Sequence, residues 1–129
     1  MTNTLERILD EYAQELKYLF GDDLLGVYLT GSIALGGYHD RKSDIDFTVL
    51  IQNKLAASQT ASLKTIHDTI KKKYPHHTLE GHYITPDELG KEADAIGPVV
   101  AYCRGKVSRS YHGISPVTWY TLKKYGVTV

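Results

Sequence analysis

The sequence predicts an α/β (α+β) domain, and three observations carry that prediction. Apolar residues recur at helical spacing in two stretches, residues 5–20 and 55–74. Strand-sized apolar runs lie between them, such as Leu24 to Leu29 and Phe47 to Ile51. None of those runs approaches the roughly 20 residues that cross a bilayer. A chain of 129 residues is the size of one compact domain with one core.

In the first helix the positions Leu5, Ile8, Leu9, Tyr12, Leu16 and Leu19 repeat, with Asn3 and Glu6 placed as a capping pair and Gly21 as a stop. Residues 24–30, LLGVYLT, alternate Leu25, Val27 and Leu29 as a strand does and run into Gly31-Ser32. A second strand covers Asp44 to Ile51. The second helix, Leu55 to Tyr74, runs through Leu55, Gln59, Leu63, Ile66 and Ile70, and Pro75 ends it. Its last turn carries Lys71, Lys72 and Lys73, which read as solvated charges offsetting the macrodipole.

Next come a strand at residues 78–85, a short helix opened by Pro86, and a strand from Pro98 to Arg104. Ser115-Pro116 supplies an N-cap and a first-turn proline for a last helix that runs through Trp119 and Leu122 to Gly126. Trp119 reads as a core residue of that helix. The apolar tail Val127-Thr128-Val129 ends as though entering another element.

Composition excludes several function classes. Apolar residues make up 42 % and charged residues 23 %, which argues for a globular chain rather than a disordered one. Fifteen Lys plus Arg balance fifteen Asp plus Glu, so no general pull toward nucleic acid or anionic lipid is expected. The start, MTNTLERILDEY, lacks the basic end and apolar run of a signal peptide, which predicts a cytoplasmic protein without a membrane partner. The single cysteine, Cys103, follows Val99, Val100 and Ala101 and reads as a buried structural thiol.

Chemistry concentrates in GVYLTGSIALGGYHDRKSDIDFTVLI, where a strand runs into Gly31-Ser32, a loop follows, and a strand opens with Asp44-Ile45-Asp46. Alternate residues of a strand share a face, so Asp44 and Asp46 project together while Ile45, Phe47 and Val49 pack behind. Two carboxylates on one side repel unless a cation lies between them. Mg²⁺ prefers such oxygen ligands and commonly combines one or two carboxylates with substrate phosphates. In two-metal phosphoryl chemistry one ion favours the attacking oxygen and the other the leaving group.

Gly31 lets the backbone approach phosphates, and Ser32 adds a hydroxyl and an amide where Ile33 to Leu35 begin a helix. Arg41, Lys42 and Ser43 lie close enough in sequence to touch phosphate, although loop basics are usually only solvated. Glu80, inside the strand-like TLEGHYIT, is the candidate third carboxylate, either taking the proton of an incoming hydroxyl or completing a metal shell. His82 shares its face in a regular strand, but a surface histidine is the preferred reading there. His76 and His77 beside Pro75 read as a turn, without a second ligand pair at zinc spacing.

Leu29-Thr30-Gly31-Ser32 followed by Asp44-Ile45-Asp46 resembles the nucleotidyltransferase superfamily that includes DNA polymerase β. Within it, GSIALGGYHDRKSDIDFTVL and PVTWYTLKKYGVTV are most similar to aminoglycoside nucleotidyltransferases of the streptomycin/spectinomycin type. The resemblance implies a mixed, mostly antiparallel small sheet flanked by helices. It implies Mg²⁺ on Asp44 and Asp46, joined by Glu80 as base or further ligand, and ATP held through Gly31, Ser32 and Ser43. The expected reaction is transfer of AMP to a hydroxyl of a small molecule such as an aminoglycoside, an antibiotic-resistance activity.

Relatives of this type carry a second, helical domain that completes the acceptor pocket. Residues 1–129 are therefore expected to be a single catalytic domain from which that helical part is absent. The alternatives are a minimal nucleotidyltransferase that adenylylates a partner protein, as in toxin–antitoxin pairs, and a catalytically silent nucleotide-binding module.

Overall fold

The computed structural model describes residues 3–29, 45–91, 96–103, 105–110 and 127–128. Helix α1 (Asn3–Phe20) is followed by a 3₁₀ turn, Gly21–Asp23, and strand β1 (Leu24–Leu29). Strand β2 (Ile45–Ile51), helix α2 (Ala57–Lys73) and strands β3 (Leu79–Ile84), β4 (Val99–Cys103), β5 (Lys106–Ser110) and β6 (Val127–Thr128) complete the order. The sheet runs β5-β4-β3-β2-β1-β6. Only β2 and β3 pair in parallel; every other ladder is antiparallel. This is the mixed, mostly antiparallel α+β sheet that the sequence predicts.

Helix α1 forms because Leu5, Ile8, Leu9, Tyr12 and Leu16 return to one side every three or four residues, and all five are buried. Phe20, rather than the half-buried Leu19, closes the stripe. Gly21 ends the helix in the left-handed region, at φ 57°, where a glycine lacks the steric penalty of a Cβ. Asp23 then ties the two ends of a hairpin together. Its carbonyl accepts from the Gln52 amide at 2.8 Å and its carboxylate from Asn53 Nδ2 at 3.2 Å.

In β1, Val27 and Leu29 are buried as expected, but Leu25 is 43 % exposed. A register shift between Leu24 and Gly26 breaks the alternation there and turns Leu25 outward. Strand β2 lies between β1 and β3 and is largely buried on both faces, as a central strand is, with Asp46 and Thr48 as its polar residues. Phe47 pairs in register with Gly81 of β3. A Cβ at Gly81 would lie 2.2 Å from the Phe47 carbonyl and 2.6 Å from its ring, so a glycine is required for this ring to lie across the sheet.

Helix α2 begins at Ala57, two residues after the predicted start; Gln59 Oε1 accepts from the Ala56 amide at 2.9 Å. It buries Leu63, Ile66, His67 and Ile70. His67 follows the same i, i+4, i+7 line as Leu63 and Ile70, which makes it a core residue that the apolar periodicity alone passes over. Of the terminal lysines, Lys73 reaches Glu11 at 2.6 Å, an exposed pair between the end of α2 and the middle of α1.

Two elements differ from the reading of the sequence. Residues 86–90 form successive turns rather than a helix. Glu88 Oε1 accepts from both the amide and the hydroxyl of Thr85 at 3.0 Å, the Glu88 and Lys91 amides donate to the carbonyls three residues back, and Gly90 stands at φ 83°. Strand β5 is an unpredicted element, antiparallel to β4 with Cys103 opposite Lys106. Gly105, at φ 77°, is the turn signal for it. Val107 is the one apolar residue of KVSRS, too little alternation to read from sequence.

The core lies between the helices and one face of the sheet: Phe47, Val49, Tyr83, Val100 and Tyr102 meet Tyr12 and Leu16 of α1 and Leu63 and Ile70 of α2. Phe47 packs edge-on against Tyr12 at 5.3 Å between centroids. Among the described residues no helix is long and apolar enough to cross a membrane.

Candidate functional site

Because side chains alternate along a strand, the residues between those core positions point away from the helices. On β2 these are Asp46, Thr48 and Leu50; on β3 they are Glu80, His82 and Ile84. The parallel register sets them side by side: Asp46 with Glu80, Thr48 with His82, Leu50 with Ile84. Neighbouring strands lie about 4.8 Å apart, so two carboxylates from consecutive elements of the ladder share one small area of surface. Both are half-buried.

This face changes character along its length. At the start of the two strands stand the acids. Next, Thr48 Oγ1 and His82 Nε2 lie 3.0 Å apart, with both residues essentially inaccessible. Beyond them Ile84 and Val99 form a small apolar cluster with Leu50 and Ile96. The expectation of a surface histidine at position 82 is therefore corrected: a polar side chain on this face survives burial because Thr48 meets its ring. Thr48 went unnoticed in the sequence. Its signal was a hydroxyl two residues past Asp46, hence on the same face, within an apolar run.

Strand β1 is antiparallel to β2 and its Leu29 pairs with Phe47, so the chain leaves β1 at the end of the sheet where Asp46 and Glu80 stand. Gly31, Ser32, Arg41, Lys42, Ser43 and Asp44 lie outside the described residues, as does Trp119. Cys103 is half-buried rather than fully enclosed. His76 and His77 occupy the predicted turn after α2. Among the described residues no group of three or more His, Cys, Asp and Glu side chains gathers into a metal site.

The donor chemistry of the Asp46–Glu80 pair is oxygen only. Like charges directly opposite each other in a sheet destabilise it. A hard divalent cation is the species that offsets such a pair, so the residues present fit Mg²⁺ better than a softer metal.

A six-stranded sheet of this order, with two carboxylates side by side at the start of its parallel pair, is the kind of mixed sheet that the sequence resemblance implies. The model of the nucleotidyltransferase domain family matches residues 9–100, and the chain belongs to that family. Over 49 residues it is 45 % identical to a candidate protein adenylyltransferase of Methanocaldococcus jannaschii, a match covering 38 % of this chain and 33 % of that protein. Its fold is similar to that of a spectinomycin adenyltransferase from Enterococcus faecialis, solved with ATP and spectinomycin, with a TM-score of 0.74 and 18 % identity. That likeness takes in 96 % of this chain and 55 % of the other, so the chain spans about half the length of that structure.

Proposed function

We propose that this domain transfers AMP from ATP to a hydroxyl of a small molecule such as an aminoglycoside, with Mg²⁺ as cofactor. The observation that carries this reading is the placement of Asp46 beside Glu80 at the end of the sheet where β1 leads toward Gly31-Ser32. Asp44 and Asp46 hold the metal, and Gly31, Ser32 and Ser43 hold the triphosphate. Bound Mg²⁺ supplies charge neutralisation for the phosphates and the departing pyrophosphate.

Glu80 acts as base or as a further ligand. In the first role it takes the proton as the acceptor oxygen bonds to the α-phosphorus and the bond to pyrophosphate breaks. Thr48 and His82 lie beside the acids on the same face, two residues further along, and act through position: their hydrogen bond ties β2 to β3 next to the carboxylates.

A second reading, transfer to a side-chain hydroxyl of a partner protein, draws support from the 45 % identical stretch shared with the archaeal protein. The small-molecule reading is preferred because the structural likeness extends along 96 % of the chain, whereas that stretch covers 38 %. Incubating the protein with α-labelled ATP and Mg²⁺, alone, with spectinomycin or streptomycin, and with cell extract tests both. Label on the drug supports the first reading and label on a protein the second. ATP binding without any transfer, under conditions where a known adenylyltransferase labels its acceptor, overturns both.

A further inference from the structure

The row of side chains that begins with Asp46 and Glu80 continues across the sheet onto β4 and β5. Gly81 pairs with Tyr102 and Tyr102 with Val107, and both Tyr102 and Val107 pack into the helix-side core. Cys103, the next residue of β4, is therefore turned to the carboxylate face, where the antiparallel register brings it beside Glu80. Lys106 pairs directly with Cys103 and is exposed. From β2 to β5 the row reads Asp46, Glu80, Cys103, Lys106, and its first member lies next to β1, from which the chain runs on to Gly31-Ser32.

The order of this row gives the site two sides. Under the reading proposed above, Gly31 and Ser32 hold the triphosphate, on the side of β1. In-line displacement sets the entering oxygen opposite the departing pyrophosphate. The acceptor hydroxyl then meets Glu80 from the side of β4 and β5. Strands about 4.8 Å apart put Lys106 about 10 Å from Glu80 along the row, a span that an acceptor of disaccharide size covers. A second cation stands close by: a Cβ at Gly105 would lie 2.9 Å from the Lys71 ammonium, so Lys71 reaches the residue before Lys106.

We propose that Cys103 and Lys106 wall the acceptor side of the transfer site and that Lys106 is a specificity-determining residue, favouring hydroxyl acceptors whose far end is neutral or anionic over those that place a cation there. The inference rests on the reading of Asp46 and Glu80 as the transfer site. Lys106 acts on acceptor binding rather than on the bond-making step, since it stands two strands from Glu80.

Cys103 is the only cysteine of the chain, which makes it a selective handle. Transfer from α-labelled ATP to spectinomycin, streptomycin and cell-extract protein is measured first with the parent. Alkylation of Cys103 by iodoacetamide in the full chain is expected to cut transfer to whichever acceptor the parent labels by about tenfold or more, as misplacement of a reactant does. Calorimetric affinity for ATP with Mg²⁺ should stay the same, which also reports an intact fold. Lys106→Glu should lower KM for a cationic drug about fivefold, the effect of one exposed ion pair, with KM for ATP unchanged. That gain should vanish in about 1 M NaCl. An alkylated protein that transfers at the parental rate overturns the proposal, and so does an alkylated, folded protein that no longer binds ATP, because Cys103 would then stand on the nucleotide side. If the adduct unfolds the chain, Lys106→Glu decides: the parental KM for the acceptor overturns the proposal. A parent that labels no acceptor overturns the transfer reading itself, and this proposal with it.

Discussion

Asp46 and Phe47 are neighbours in β2, yet the first stands beside Glu80 on one face of the sheet and the second lays its ring over Gly81 beneath the helices on the other. The helix face is closed by shape: Phe47, Tyr12, Tyr83 and His67 fit edge to face, and each position tolerates little change. The opposite face begins with partly exposed acids, followed by the buried Thr48–His82 pair. Under the proposed function, stability and chemistry separate across the thickness of one strand.

Substitutions at those two neighbours should break the comparison most sharply. Asp46→Asn is expected to lower nucleotide transfer by about three orders of magnitude, as loss of a group stabilising the transition state does, and to leave the denaturation midpoint nearly unchanged. Phe47→Ala should cost about 3–5 kcal/mol of stability in urea titration. An Asp46→Asn protein with full activity, or a Phe47→Ala protein as stable as the parent, would show that the two faces are not specialised in this way.

The buried histidine on the helix face predicts a pH effect. His67 has its pKa lowered from 6.5 to about 3 by burial. Above pH 6.5 both folded and unfolded chains carry neutral imidazole, and its contribution is complete. As pH falls toward 3 the unfolded chain takes up a proton that the folded chain refuses, and stability declines by about 1.4 kcal/mol per pH unit. Between pH 8 and pH 5 this amounts to about 2 kcal/mol. Urea midpoints of the parent and of His67→Gln at the two pH values measure it; an equal slope in both would rule out His67 as the source.

Thr48→Val sharpens the other side. It keeps the shape of the side chain but removes the oxygen that meets His82, and is expected to cost about 1–3 kcal/mol together with some activity, since β2 and β3 lose their tie beside the carboxylates. Activity that falls while the fold remains intact at assay temperature is the informative result. The smallest effect belongs to Glu11→Gln. The Lys73 ammonium that donates to Glu11 holds the carboxyl below its ordinary pKa, but the pair is exposed and its removal should scarcely move the melting temperature.

The local periodicities of the chain were readable from sequence wherever an element buries one continuous stripe. Helix α1, β2 and β3 are cases, because Leu5 to Leu16, Ile45 to Ile51 and Leu79 to Ile84 each repeat at one period over their whole length. Elements held by partners distant in sequence were not readable: β5 exists because β4 offers it a ladder, and the turns of residues 86–90 depend on where Gly90 stops them.

The site divides in the same way. That Asp46 lies on the face away from Phe47 follows from strand alternation alone, and so does the pairing of Glu80 with His82 on one face of β3. Which strand lies beside which is a matter of topology. The parallel register of β2 and β3, joined across α2, is what sets Asp46 against Glu80 and Thr48 against His82 across 34 residues of chain. A periodicity reports the direction of each side chain because it arises within a few bonds. Neighbours in space come from burial of the whole helix face at once, and no short stretch of sequence contains that information.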